Sequence, residues 1–171
     1  RIGFRDEMIL GYTVFNDQVF GKMVHPSYTY GKDGYVFGSG LTTAENSYSD
    51  FHEAFADLVK QIQDYCTQRN IPFLFVFNPA KPAVLWEHLP DGIQYDRTWV
   101  KDFFEALDER GVRYIDNTQT LREKTEQGET VFNQKYDANH WNDLGAYYGT
   151  NAILEELTKD ISTIQLNNIE D

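Results

Sequence analysis

A helix that runs directly into an apolar strand is the feature that most limits the folds open to this chain. Between Asn46 and Arg69 apolar side chains recur every three or four residues, which predicts an amphipathic helix that ends at Asn70. The stretch from Ile71 to Phe77 is then apolar and of strand length, a pattern typical of a strand buried on both faces of a parallel sheet. A helix followed at once by such a strand predicts an α/β fold.

The rest of the chain continues this alternation. A second helix is predicted from Thr98 to Leu107, with Gly111 placed to terminate it, and a second buried strand from Val112 to Ile115. Asn142 or Asp143 can then cap a last helix. Helix, strand, helix, strand, loop and helix in this order predict a three-layer α/β/α domain with a small, mainly parallel sheet.

The first forty residues predict a helix and a hairpin. Apolar side chains lie on one helical face between Arg5 and about Phe20, and Asp33-Gly34 separates two short segments of strand-forming residues. With 171 residues the chain is long enough for one domain with a real core. We therefore predict a single domain, in which residues 1–40 carry the helix and hairpin and residues 41–160 carry the α/β core.

The charge of the chain excludes one class of partner. Asp and Glu outnumber Lys and Arg by 27 to 15, which gives a formal net charge of -12 at pH 7. Proteins that bind nucleic acids display a basic face, and no cluster of Lys and Arg occurs in this sequence. We therefore expect no nucleic-acid partner.

Cysteine and histidine give no sign of a metal site. Cys66 is the single cysteine, so the chain has neither a disulfide framework nor a pair of thiolate ligands. The histidines show no H-x-x-x-H or H-x-H spacing. We predict no metal and no cofactor.

No stretch of the sequence reads as a membrane anchor. No apolar run approaches the roughly 20 residues that a helix needs to cross a bilayer, and no signal peptide is visible. The chain begins at Arg1 without a methionine. We expect it to be a fragment of a longer protein in which an anchor or signal lies elsewhere.

The pair of Asp137 and His140 is the strongest candidate for chemistry. An aspartate that accepts a hydrogen bond from one ring nitrogen of a histidine fixes its tautomer and leaves the other nitrogen free to take a proton. Trp141, beside the histidine, would shield the pair from water. The alternative is structural, because an aspartate close to a helix start can be a cap and the histidine a surface residue.

Four further residues are candidates for substrate binding. Asn78 directly follows the first predicted strand and could supply an amide donor to an oxyanion, while Lys81 could hold an anionic or carbonyl oxygen. Trp86 and Trp141 offer rings on which a sugar could stack. Alternatively, Asn78-Pro79 is an ordinary turn and Trp86 a core or rim aromatic residue.

The segment around the acid and the histidine resembles a known family. Its D-x-x-H pattern near the end of an α/β domain is similar to the Asp/His block of the SGNH (GDSL-like) hydrolases. YDANHWNDLGAYYG also resembles a segment of the alginate O-acetyltransferase proteins of the AlgJ/AlgX type and their Gram-positive relatives. Four more stretches resemble blocks of that family in the same order, and together they cover roughly residues 2–155: IGFRDEMI, GKDGYVFGSG, FVFNPAKPAVLWEHLPDG and RYIDNTQTLREK.

The resemblance implies an enzyme that forms a covalent acyl-serine intermediate. His140 would act as general base and then as general acid, and Asp137 would orient its ring. The implied substrate is an acetyl or other acyl group on a cell-surface or exported polysaccharide, with water or a sugar hydroxyl as acceptor. It further implies an extracytoplasmic location and a membrane-bound acyltransferase partner that supplies acyl groups.

The serine is the missing part of this interpretation. The family keeps it in a G-x-S segment after the Asp/His block, and Ser162, which follows His140, has no glycine before it. Ser39 lies between two glycines but in a different block. We expect the serine to lie outside these residues, in the longer protein. The alternative is a non-catalytic polysaccharide-binding or assembly module with the same fold.

Overall fold

The computed structural model describes residues 4–40, 51–93, 95 and 98–161. The chain divides into two compact units, each built from three separated segments. The first unit comprises Arg1–Ala44, Ala80–Tyr95 and Phe132–Trp141, and the second comprises Glu45–Pro79, Asp96–Val131 and Asn142–Asp171.

Helices outnumber strands among the described residues. The helices are α1 (Arg5–Phe20), α2 (Phe51–Thr67), α3 (Lys81–Val84), α4 (Thr98–Glu109), α5 (Asn117–Glu126) and α6 (Asp143–Ile161), with short 3-10 turns at Lys32–Gly34 and Trp86–His88. The strands are β1 (Tyr28–Tyr30), β2 (Val36–Gly38), β3 (Phe75–Phe77) and β4 (Tyr114–Asp116).

The second unit contains the parallel pair that the sequence predicts. β3 and β4 run side by side in parallel, with Phe75 opposite Tyr114 and Phe77 opposite Asp116. The helix α2 precedes β3, and the helix α4 lies in the crossover between the two strands. The predicted α/β class with a small parallel sheet is confirmed.

Both parallel strands are shorter than the sequence predicts, because turn hydrogen bonds use the backbone groups at their beginnings. The N–H of Ile71 donates to the carbonyl of Cys66 at 3.0 Å, and Pro72 has no N–H to give to a neighbouring strand. Likewise, the N–H of Val112 donates to Leu107 at 3.0 Å across the end of α4. Three residues of the first run therefore remain for the sheet, whereas only Tyr114 and Ile115 of the second run remain, and β4 continues to Asp116.

An aromatic core holds the second unit together. α2 packs against α4 around the buried side chains of Ala56, Val59, Phe103 and Leu107. Further rings surround this centre, including Phe55, which stacks on Phe103 with 5.4 Å between centroids. Gly111 ends α4 as predicted, with a left-handed φ of 62° that favours glycine.

The first unit contains the predicted hairpin. β1 and β2 pair in antiparallel fashion, with Thr29 opposite Phe37, and the 3-10 turn between them contains Asp33 at φ 54° and Gly34 at φ 76°. Gly31 is required before this turn, because a Cβ atom there would lie 2.1 Å from the carbonyl oxygen of His88. The hairpin therefore lies directly against the 3-10 turn that ends at His88.

The helix α1 is present as predicted, but its apolar side chains are not covered. No residue of α1 is buried, and Met8, Tyr12, Phe15 and Val19, which share the predicted face, are all more than half exposed. A hydrogen bond of 2.5 Å from the Tyr30 hydroxyl to Asp17 joins the helix to the hairpin.

Across the described ranges, no helix combines the length and apolar character that a bilayer crossing requires.

The core of the second unit can be tested with a matched pair of leucines. Leu107 of α4 is fully buried, whereas Leu58 of α2 is 49% exposed. Leu107→Ala leaves a cavity, so we expect it to lower the free energy of unfolding by about 2–5 kcal/mol. Leu58→Ala removes the same atoms from a solvated site, with an expected loss of less than about 1 kcal/mol. Urea denaturation measures both, and equal losses would contradict this placement of the core.

Candidate active site

Asp137 and His140 meet in the first unit. The Nδ1 atom of His140 lies 3.2 Å from Oδ1 and 3.1 Å from Oδ2 of Asp137. A carboxylate accepts hydrogen bonds, so this contact places the proton on Nδ1 and leaves Nε2 as the basic nitrogen. The structure therefore brings together the two residues that the sequence predicts as an acid–histidine pair, in the orientation that a general base requires.

Backbone amides fix the carboxylate of Asp137 from the other side. Its Oδ1 atom accepts hydrogen bonds from the N–H groups of Asn139 and His140, both at 2.9 Å. The preceding residue, Tyr136, has a left-handed φ of 70°, which few side chains adopt without strain. The loop thus holds the acid in place in the absence of substrate.

These contacts favour the charged form of Asp137. Burial by itself raises the pKa of the Asp137 carboxyl, but the N–H groups of His140 and Asn139 and the nearby imidazole outweigh it. Together they hold this pKa below its ordinary value. The aspartate is therefore an anion at neutral pH, as it must be to stabilise a protonated imidazole.

The histidine ring is open to solvent. The side chain of His140 is 79% exposed, so the predicted shielding by Trp141 is not seen in the structure. Trp141 is partly buried, and its backbone forms an isolated antiparallel bridge with Phe132. An exposed ring can meet an incoming substrate directly, and the role of Trp141 in stacking on a sugar stays a prediction.

Lys81 occupies a different environment from the one the sequence predicts. Its side chain is fully buried, and Nζ donates to the carbonyl oxygens of Val36 at 2.8 Å, Asn133 at 2.5 Å, Gln134 at 3.4 Å and Asp137 at 3.0 Å. An ammonium group has three N–H donors, and four backbone carbonyls surround this one. In this structure a substrate oxygen therefore cannot reach the Lys81 ammonium, as the sequence-based prediction would require.

Burial also changes the acidity of this lysine. Removal from water lowers the pKa of the Lys81 ammonium to about 8, and the charge of Asp137 acts in the opposite direction.

Asn78 lies in the second unit, directly after β3. It is exposed, and its Oδ1 accepts a hydrogen bond of 2.9 Å from Nδ2 of Asn117. Asn117 is fully buried and directly follows β4, so the two asparagines stand at the carboxyl ends of the two parallel strands. With its oxygen held in this way, Asn78 keeps its N–H₂ group for another acceptor, and its role as an oxyanion donor stays a prediction.

Asn117 is absent from the residues singled out by sequence. The sequence could have indicated Asn117 as a candidate, because it is a polar residue at the end of a strand. α/β domains commonly place functional groups at that position.

Two other sequence candidates belong to the first unit. Trp86 opens the 3-10 turn before His88 and is half exposed, and its sugar-stacking role stays a prediction. Ser39 follows β2, and its hydroxyl donates to the carbonyl of Pro26 at 2.9 Å.

A second aspartate–histidine pair lies elsewhere in the first unit. Nδ1 of His88 is 2.9 Å from Oδ2 of Asp33, and the ring of His88 lies against that of Tyr35 with 4.4 Å between centroids. Sequence spacing gives no sign of this pair, because its members are 55 residues apart. It joins the hairpin turn to the 3-10 turn at Trp86–His88.

No metal-binding cluster occurs in the part of the chain that the structure describes: no three His, Cys, Asp or Glu side chains converge there in a way that could hold an ion.

Comparison with known families identifies the domain. The family model described as the SGNH hydrolase-like domain, acetyltransferase AlgX, matches residues 29–170. The chain belongs to this family. The matched region contains Asp137 and His140. The sequence matches none of the curated proteins compared with it.

Two solved structures show the same fold. The O-acetyltransferase domain of Pseudomonas putida AlgJ superposes with a TM-score of 0.65 at 18% identity, over 80% of this chain and 49% of that one. Bacillus cereus PatB1 with a sulfonyl adduct gives a TM-score of 0.58 at 18% identity, over 77% of this chain and 43% of that one. The chain thus spans less than half the length of either protein, and the likeness shows a common fold.

The Asp137 carboxyl is expected to titrate below the ordinary aspartate range in the native protein. Because its pKa is lowered on folding, its contribution to stability is fully present above the ordinary value and is lost as pH falls through the lowered one. In His140→Ala we expect the pKa of Asp137 to lie between its value in the unsubstituted protein and the ordinary aspartate value, because the two backbone N–H groups still bind the carboxylate. Carbon-13 NMR of the carboxyl carbon measures both. A native pKa at or above the ordinary value would contradict the geometry.

Proposed function

We propose that this domain catalyses acyl transfer through an acyl-serine intermediate, with O-acetyl groups of a polysaccharide as substrate. The observation that carries the proposal is the oriented pair of Asp137 and His140 in a chain of the SGNH-like acetyltransferase family. The serine is proposed to come from the full-length protein, outside these 171 residues.

In the proposed reaction, the serine oxygen attacks the acyl carbonyl carbon while its proton moves to Nε2 of His140. The resulting imidazolium is stabilised by the Asp137 carboxylate and then gives the proton to the departing alcohol oxygen. A sugar hydroxyl or a water molecule next loses a proton to Nε2 and attacks the acyl-serine. Serine leaves with that proton restored, which completes the cycle.

A cavity in the first unit offers a place for a sugar ring. It has a volume of about 510 Å³, and three tyrosines line it, Tyr28, Tyr30 and Tyr136, together with Asp17. Tyr136 is fully exposed and directly precedes Asp137 in the chain. Aromatic faces with a few polar groups suit a pyranose ring, and the net charge of -12 disfavours a strongly anionic polymer.

The location and the acyl donor belong to the same proposal. We propose that the full-length protein works outside the cytoplasm, with a membrane-bound acyltransferase as the partner that delivers acyl groups. The fold shared with the O-acetyltransferase domain of Pseudomonas putida AlgJ supports the reaction class.

A polysaccharide-binding or assembly module is the second candidate. It is favoured by the tyrosine-lined cavity, which can bind a sugar whether or not a reaction follows. A sulfonyl fluoride distinguishes the two candidates in the full-length protein. A covalent adduct on one serine, located by mass spectrometry, supports the enzyme, and no adduct on any serine supports the binding module.

His140→Ala is expected to abolish catalysis in the full-length protein. Loss of the general base should lower kcat by at least about 1,000-fold on p-nitrophenyl acetate and on an acetylated glycan. His88→Ala is the matched control, since it removes a histidine with an equivalent aspartate contact and should leave kcat within a few-fold of the unsubstituted value. Activity that survives His140→Ala would overturn the catalytic assignment.

Tyr28→Ala tests the sugar cavity separately from the chemistry. Loss of one stacking ring should raise KM for the glycan by about three- to tenfold. The rate on p-nitrophenyl acetate, which has no sugar, should not change. Tyr147→Ala, which removes an exposed tyrosine of α6, is the control. A KM that is the same in both variants would exclude Tyr28 from glycan binding.

A further inference from the structure

We propose that Lys81 is the positioning residue of this site, whose ammonium group holds the backbone of the Asp137 segment so that the carboxylate stays against His140. The proposal deepens the proposed function and rests on it for its catalytic consequence. Its structural part stands on the contacts of Lys81 alone.

Three of the four carbonyls around Nζ belong to the short segment from Asn133 to Asp137. The fourth belongs to Val36 of β2, a strand of the hairpin. One side chain therefore ties the segment that carries the acid to the sheet of the first unit. The distances to Val36, Asn133 and Asp137 lie between 2.5 and 3.0 Å, and hydrogen bonds from a charged donor are stronger than those between neutral groups.

The backbone of Lys81 holds the same turn at a second point. Its N–H donates to the carbonyl of Asn139 at 3.1 Å, while Nζ binds the carbonyl of Asp137. Asp137 begins the turn in which its own Oδ1 accepts the N–H groups of Asn139 and His140, and Asn139 lies within that turn. Lys81 thus holds at two points the turn whose geometry sets the position of the carboxylate.

Two aromatic rings also lie near this charge. The rings of Tyr35 and Phe37 lie 5.5 and 5.3 Å from Nζ, and the side chain is fully buried. Removing the ammonium would leave several carbonyl oxygens in the interior without a donor, and the segment would move to reach water. Asp137 would move with it, because its own carbonyl is one of those oxygens.

Lys81→Met keeps most of the side-chain length and removes the ammonium. We expect the amide hydrogens of Asn139 and His140, which bind the Asp137 carboxylate, to exchange with solvent at least about tenfold faster. In the full-length protein we expect kcat on p-nitrophenyl acetate to fall by about 100-fold with little change in KM, because a small displacement of a catalytic group acts on the transition state.

Two controls separate positioning from simple loss of charge or stability. Lys32→Met removes a lysine of the same unit that pairs with Asp91 at the surface. Leu107→Ala destabilises the second unit without touching the Asp137 segment. Neither should change the exchange of the two amides or kcat per folded molecule. If Leu107→Ala gives the same changes as Lys81→Met, the effect is general destabilisation and the proposal is wrong.

Lys81→Gln provides a milder variant in case Lys81→Met does not fold. Its neutral amide has two N–H donors for four carbonyls, so we expect exchange rates and kcat between those of the unsubstituted protein and Lys81→Met. Unchanged values for both in Lys81→Gln would overturn the proposal.

The two readouts also distinguish this proposal from the proposed function. Faster exchange in Lys81→Met, in a protein with no esterase or transferase activity, would overturn the proposed function and keep the structural role of Lys81. Full activity with unchanged exchange would overturn the positioning role and keep the proposed function.

Discussion

A positive charge buried among backbone carbonyls is the interaction on which the first unit depends. Taking an ammonium group out of water is costly, and Lys81 offsets that cost only because its hydrogen-bond donors all find oxygen partners. The same arrangement satisfies carbonyls of a segment that has no regular secondary structure. A loop without its own ladder of hydrogen bonds is thereby held by a buried side chain, and this loop carries Asp137.

A contact between an aspartate and a histidine does not by itself identify a catalytic site. Among the described residues of the first unit, two such pairs have similar nitrogen–oxygen distances, at Asp137 and His140 and at Asp33 and His88. They differ in environment, since the side chain of His140 is 79% exposed and that of His88 is 29% exposed and covered by the Tyr35 ring. The first can reach a substrate, whereas the second joins two turns. Access to solvent, rather than the pairing, distinguishes them.

The sequence predicts what depends on near neighbours and misses what depends on distant ones. The long helices, the end of α4 at Gly111 and the proximity of Asp137 to His140 follow from spacings of a few residues. The predicted parallel strands lie at the right places in the chain but are too long, because the hydrogen bonds that end α2 and α4 extend into them. The contacts of Lys81 and the contact between Asn78 and Asn117 join residues that are 39 to 56 positions apart. No periodic pattern in the sequence predicts such contacts.

The interleaved construction of the two units has a consequence for how this domain is made. Three of the four carbonyl partners of Lys81 lie 52 to 56 residues further along the chain, so a long loop has to close before the ammonium can be buried. During synthesis from the amino terminus, the hairpin and α3 emerge well before residues 133–137. Until those residues arrive, the lysine remains hydrated and the first unit is incomplete. The stretch that binds the Lys81 ammonium also leads directly to Asp137 and His140. The candidate site can therefore form only when this late part of the first unit has joined the hairpin and α3.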